Sequence, residues 1–194
     1  CIIIIQKIKQ VLAKNDSISK WSFGILTGGT REEWIDKEIE SIKKLNIPDY
    51  EIIICGSNTS RNGIKNIPFG SNDGIGKGKN LICKEAKYEN IVITHDKFIF
   101  NQNWFEGMKQ YGNHFEILSC IIKDNNGNRA GDWLTYGAKL GKMAKIGLLD
   151  YRDWDKQGYI DGGFYIIKKS VWKKCGIKNR PELPIDFNLR DSLI

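Results

Sequence analysis

Three short polar stretches each follow an apolar run: Thr27-Gly28-Gly29-Thr30-Arg31 after residues 21–26, Cys55-Gly56-Ser57 after residues 50–54, and His95-Asp96-Lys97 after residues 91–94. If the runs are adjacent parallel strands, the three turns meet at one sheet edge, and a crevice there is the default ligand site of an α/β sheet. The first turn leads into a helix whose free N–H groups and dipole favour an anion, and Arg31 adds positive charge. The same residues also suit simple capping, because Thr30 and Glu33 are spaced as a T-x-x-E box. The turn alone does not decide between a ligand and a cap.

Residues 70–79, GSNDGIGKGK, approach a phosphate-binding loop without matching one. One residue too many separates Gly70 from Gly76-Lys77, Gly78 follows the lysine, and no G-x-G-x-x-G occurs there. A Walker ATPase and a Rossmann dehydrogenase are therefore excluded, leaving a flexible basic loop able to approach a diphosphate. Cysteine chemistry is equally unpromising: Cys1, Cys55, Cys83, Cys120 and Cys175 are odd in number, and none forms a C-x-x-C pair. They read as free thiols of a reducing compartment.

The elements that must position these residues are set by hydrophobic spacing. Residues 21–27 read as a strand, and Trp34, Ile35, Ile39, Ile42 and Leu45 form the buried face of a helix that Pro48 ends. Residues 50–55 are a nearly continuous apolar strand of the kind buried in a parallel sheet. This β-α-β unit takes a right-handed crossover, which puts both strand ends on one edge. A Gly/Asn/Ser-rich passage over 56–78 precedes a helix around 79–88, a strand over 91–94, a helix over 104–111 and a strand over 115–122 that turns at 125–128. Periodicity then fades over 131–158, which reads as a long loop or lid with a short helix, before a strand over 163–167. The alternation predicts one α/β domain over residues 21–194, with a mostly parallel central sheet and helices on both faces.

Length and composition agree: 194 residues, 41% hydrophobic and 27% charged, are those of an ordinary globular domain. The net charge of +7 favours phosphate-bearing partners. No run of five or six like charges and no interleaved aromatic motif points to nucleic acid. No apolar stretch approaches the roughly 20 residues needed to span a bilayer. Within residues 1–20, positions 2–14 form an amphipathic basic helix suited either to packing on the domain or to peripheral contact with a membrane surface. The chain opens on Cys1, so a native start upstream of it is expected.

Taken in order, residues 23–56 (FGILTGGTREEWIDKEIESIKKLNIPDYEIIICG), 74–108 (GIGKGKNLICKEAKYENIVITHDKFIFNQNWFEGM) and 161–174 (DGGFYIIKKSVWKK) resemble the inverting family 2 glycosyltransferases of the A-type, nucleotide-sugar-binding fold. The resemblance covers most of residues 21–194. It implies that Thr27, Gly28 and Arg31 border the nucleotide. Cys55, Gly56 and Ser57 stand where the family holds the base or ribose with an Asp, here absent, while Gly74, Gly76, Lys77 or Lys79, and Asn80 match the loop and helix near the phosphates. His95-Asp96-Lys97 falls at the family's Asp-x-Asp, where carboxylates place a divalent ion on the diphosphate. His95 and Asp96 would then hold Mn²⁺ or Mg²⁺, or Lys97 would itself be the cation in a metal-independent variant.

The resemblance also implies a late carboxylate as catalytic base. The family's Glu-Asp pair falls over Leu183-Pro184, so Glu182 and Asp186 flank it, and Asp161 is expected as a carboxylate on the acceptor side. Trp133, Tyr151 and Trp154 could stack on a sugar, with Asp150, Asp153 or Asp155 bonding its hydroxyls. The activity implied is transfer of a sugar, with inversion, from a UDP- or GDP-sugar to a hydroxyl on a glycan or small molecule. The expected location is the cytoplasm, including the surface of a membrane. A sugar-phosphate nucleotidyltransferase and a non-catalytic nucleotide-sugar or glycan-binding domain are the alternatives.

Overall fold

The computed structural model describes residues 18–70, 73–136, 146–150 and 159–177. The expected helix over 2–14 lies outside them, as do Tyr151, Asp153, Trp154, Asp155, Glu182 and Asp186.

Strand β1 (Lys20–Leu26) turns Trp21, Phe23 and Ile25 into one apolar cluster and Leu26 into another, the alternation of a strand covered on both faces. It lies between β2 (Asp49–Cys55) and β4 (Asn90–His95), parallel to both. Leu26 pairs with Cys55 on one side and with His95 on the other. The polar turns after these strands therefore leave the sheet in one row. β3 (Lys65–Ile67) extends the sheet beside β2, β9 (Phe164–Lys168) runs antiparallel to β4, and β5 (Ile117–Leu118) closes the far side. The order β3-β2-β1-β4-β9-β5 is that of a mostly parallel, Rossmann-like α/β sheet.

Helices cover both faces. Helix α1 (Glu32–Lys43) sends Ile35, Ile39 and Ile42 into the cluster around Phe23, and α3 (Trp104–Tyr111) adds Phe105 and Met108. On the other face α2 (Ile75–Glu85) contributes Ile82 and Cys83, and α4 (Lys169–Cys175) packs Val171 and Trp172 alongside. Helix α2 sits close because Gly24 and Gly78 carry no side chain: a Cβ on Gly24 would meet Ile82 Cγ2 at 2.1 Å, and one on Gly78 would meet Leu26 Cδ1 at 2.5 Å. That packing outweighs the poor helix propensity of residues 74–78 and starts the helix four residues before the expected Lys79. No helix of the described residues is long and apolar enough to cross a membrane.

Four further expectations are corrected. The Thr30/Glu33 capping box does not form: Arg31 is the N-cap residue, without a side-chain cap, and Glu33 pairs with Lys37. The Gly/Asn/Ser-rich passage contains β3, which depends on its neighbour β2 rather than on its own sequence. The strand expected over 115–122 is reduced to Ile117–Leu118. The expected lid instead supplies a three-stranded antiparallel sheet, β7-β6-β8, from β6 (Trp133–Tyr136), β7 (Ile146–Leu148) and β8 (Tyr159–Ile160). Its root is the fully buried Asp132. That carboxylate takes Arg129 Nε at 2.9 and 3.0 Å and the Trp133 amide at 2.6 Å, while its carbonyl accepts from Asp161 N.

Candidate functional site at the carboxyl edge of the sheet

Thr27 links the three turns. Its amide donates to Cys55 O at 2.9 Å, and its hydroxyl donates to Asp96 Oδ2 at 2.6 Å and accepts from Gly29 N at 3.0 Å. Asp96 is buried, with Arg31 Nη1 3.9 Å from its other oxygen. Arg31 itself is largely exposed at the mouth. Gly28 leaves open space beside this turn. Lys97 follows as an exposed cation whose Nζ lies 5.8 Å from the Phe98 ring.

A cavity of about 620 Å³ opens at the ends of β2 and β3, lined by Gly56, Ser57, Asn58, Ser60, Asn66, Pro68, Phe69 and Gly70. Its wall is clasped from outside by Arg61, which donates to Ser57 Oγ (3.0 Å), Thr59 O (3.2 Å), Glu32 Oε2 (2.8 Å) and Asp36 Oδ1 (2.7 Å). Glu32 also accepts from Ser57 Oγ at 2.8 Å and from Asn58 N at 3.2 Å. The hydrogen bonds of Arg61, Ser57 and Asn58 outweigh partial burial and hold the Glu32 carboxyl below its usual range. Thus α1, whose first turn was expected to cap itself or take an anion, uses Glu32 to fasten the second turn.

On the other side of β4, His95 is held by its amide, which donates to Gly163 O at 3.0 Å. Burial, aided by the charges of Lys79 and Lys97, pushes its imidazole down to about 3, so it is neutral at physiological pH. Its Nε2 is covered and makes no hydrogen bond. Lys79 is buried, donates to Gly162 O at 2.6 Å and lies 5.4 Å from the Tyr165 ring. Asp161 stands at the same edge, its Oδ1 accepting from Gly163 N at 3.3 Å.

Thr27, Gly28, Arg31, Gly56, Ser57, His95, Asp96, Lys97 and Asp161 are therefore gathered along one edge. Four of the expected contact residues are engaged elsewhere. The Cys55 thiol lies in the core, where burial pushes it up to about 11, and only its backbone faces the first turn. Asn80 is engaged by α4, accepting from Trp172 Nε1 at 2.7 Å and Ile177 N at 3.0 Å. Gly76 is buried in α2, and Lys77 pairs with Asp73.

Four residues of this edge, Glu32, Arg61, Asn66 and Glu38, carried no signal in the sequence. Arg61 stands 29 positions from Glu32, so only the β-α-β crossover makes them neighbours. Glu38, fully buried on α1, has the Thr94 hydroxyl, the Phe98 amide and the Asp96 charge beside it. Burial holds its carboxyl well above the usual range and favours the protonated form. Its helical position reads as a solvated charge.

The donor set does not fit Mn²⁺ or Mg²⁺ at His95-Asp96. The two side chains leave β4 on opposite sides, Asp96 is engaged by Thr27, and His95 stands among lysine charges, whereas these ions require several oxygen ligands. Among the described residues no group of three or more His, Cys, Asp or Glu could hold a metal.

The sequence matches no protein-family model and no curated protein. Its fold matches solved structures. S. aureus TarS 1–349 superposes in its UDP complex with a TM-score of 0.60 at 17% identity, covering 87% of this chain and 52% of that one. The UDP-GlcNAc complex of TarS gives 0.58 at 17%, covering 86% and 51%. The bifunctional IspDF of Campylobacter jejuni gives 0.54 at 14%, covering 87% and 44%. The chain thus spans about half the length of the TarS structures. Its fold is the mostly parallel, Rossmann-like α/β domain expected from the sequence, and the TarS structures share it.

Proposed function

We propose that this chain is the donor-binding domain of a glycosyltransferase that uses a UDP- or GDP-sugar. The observation that carries the reading is the row of Leu26, Cys55 and His95, which brings three polar turns beside a 620 Å³ cavity on one sheet edge. The TarS complexes with UDP and UDP-GlcNAc support it. In this reading the base and ribose occupy the cavity between Gly56 and Gly70, and the diphosphate lies across the first turn. Arg31 and Lys97 supply the positive charge that stabilises the leaving nucleotide.

Inverting transfer needs a carboxylate that takes the proton of the acceptor hydroxyl. The hydroxyl oxygen bonds to the anomeric carbon, the carbon–oxygen bond to the diphosphate breaks, and the nucleoside diphosphate departs from the opposite face. Asp161, whose Oδ1 accepts from Gly163 N, is proposed as an acceptor contact, and Glu182 or Asp186 as the base. No step is assigned to a metal.

Thermal unfolding with UDP, GDP and their sugars, each with Mn²⁺, Mg²⁺ or EDTA, tests this. A nucleotide at ~100 times its Kd stabilises the fold by about 2.7 kcal/mol. A shift with one base that survives EDTA supports Lys97 and Arg31 as the cations, and no shift with any nucleotide overturns the reading. The likeness to IspDF favours a second reading, a nucleotidyltransferase, which would release pyrophosphate from a nucleoside triphosphate and a sugar phosphate.

A further inference from the structure

One acceptor in the wall of the 620 Å³ cavity is left unsatisfied. Asn66 Nδ2 donates to Ser57 O at 3.0 Å. That carbonyl can only accept, so the amide has one orientation and its oxygen is the atom left over. Oδ1 is covered and accepts no hydrogen bond, which is unfavourable and rare for a buried polar atom. The hydroxyl of Ser57, its neighbour in the wall, is by contrast fully engaged: it donates to Glu32 and accepts from Thr59 N and Arg61 Nη1. Phe69 lines the same cavity and offers a flat apolar surface.

We propose that Asn66 selects the nucleobase, its Oδ1 accepting the ring N–H of uracil (N3) or guanine (N1) while the ring lies against Phe69. This rests on the nucleotide reading above. Pro68 and Gly70, both exposed, line the same cavity beside Asn66. The Arg61–Glu32 clasp acts behind it as a positioning device, since it holds the hydroxyl of Ser57, the residue whose carbonyl fixes the Asn66 amide.

Calorimetric titration of the protein with UDP and N3-methyl-UDP, and with GDP and N1-methyl-GDP, tests the assignment. For the base that binds, methylation is expected to weaken the wild type about tenfold or more, the range for leaving a buried acceptor unpaired. Asn66→Leu, similar in size, is expected to bind the plain base more weakly and the two forms alike. Asn66→Val, suited to a strand, repeats the comparison if the leucine variant does not fold. An unchanged Kd on methylation in the wild type overturns the proposal. So does a methyl penalty of the same size in the variants, which would be steric. Binding of UDP or GDP without methyl sensitivity sinks only the role of Asn66, whereas binding of neither sinks the nucleotide reading with it.

Discussion

Removing one oxygen from Thr27 should loosen the candidate site as a unit. In Thr27→Val the side chain keeps its shape and its place at the start of the first turn, but Asp96 loses a donor at 2.6 Å and Gly29 N loses its acceptor. Both Thr27 and Asp96 are buried, so water does not replace the bond. The remaining partner of Asp96, Arg31 at 3.9 Å, is half in solvent and contributes little. A hydrogen bond to a charged group contributes about 1.5–3 kcal/mol. For a domain of this size each kcal/mol is worth about 2–4 °C in melting temperature. A loss near 2 kcal/mol therefore predicts a fall of about 4–8 °C by calorimetry, with weaker UDP or GDP binding in the same sample. Thr27→Ser keeps the hydroxyl and should melt closer to the wild type. A valine variant melting within a degree of the wild type, or a serine variant falling as far, would refute this account of how the turns are joined.

Glu38→Gln should be more stable than the wild type at high pH. The folded protein holds a proton that the unfolded chain has lost above about 4.5, so wild-type stability falls as pH rises through that window toward the elevated folded value, at up to about 1.4 kcal/mol per pH unit. Urea unfolding between pH 5 and 8 should show the difference widening with pH; a constant difference would contradict it. Arg61→Ala should raise the Kd of the bound nucleotide about tenfold, the effect of roughly 1.4 kcal/mol, with partial recovery in Arg61→Lys; titration of both variants decides. Asp132→Asn should cost about 3 kcal/mol, the lower end for breaking a buried ion pair, because Arg129 keeps some contact with solvent. Hydrogen exchange should show protection lost at the Ile160 amide and kept at Ile93, and uniform loss would disprove a local role.

The central sheet was legible because its signals are local. Residues 50–55 and 91–94 are apolar runs too short for anything but buried strands, and Pro48 and Gly28-Gly29 punctuate them. The edge positions of Thr27, Ser57 and Asp96 followed from the parallel topology. What stayed hidden depends on partners distant in sequence. Strand β3 has three residues and exists because Ile53 to Cys55 offer it hydrogen bonds. Glu32 and Glu38 look alike on a helix, yet one clasps Arg61 and the other is sealed beneath Asp96. Asn80, matched by pattern to the nucleotide site, is turned to Trp172 by a helix that carried no strong sequence signal of its own. The small sheet rests on Asp132, which no sequence motif singled out and which is buried against Arg129.

The reversed direction of β9 has a consequence for how such a domain can diversify. Because β5 runs with the parallel strands and β9 against them, the chain departs at residue 118 and returns at residue 164 on the same rim of the sheet. Between these points Cys120, Ile160, Gly162 and Gly163 pack on or bond to the domain, whereas the turn over 124–128 is exposed. Its length and composition can change without altering the register that joins Leu26 to Cys55 and His95. That exposure makes residues 124–128 the natural place for engineered grafts, with intact β4–β9 pairing as the criterion that the host has survived.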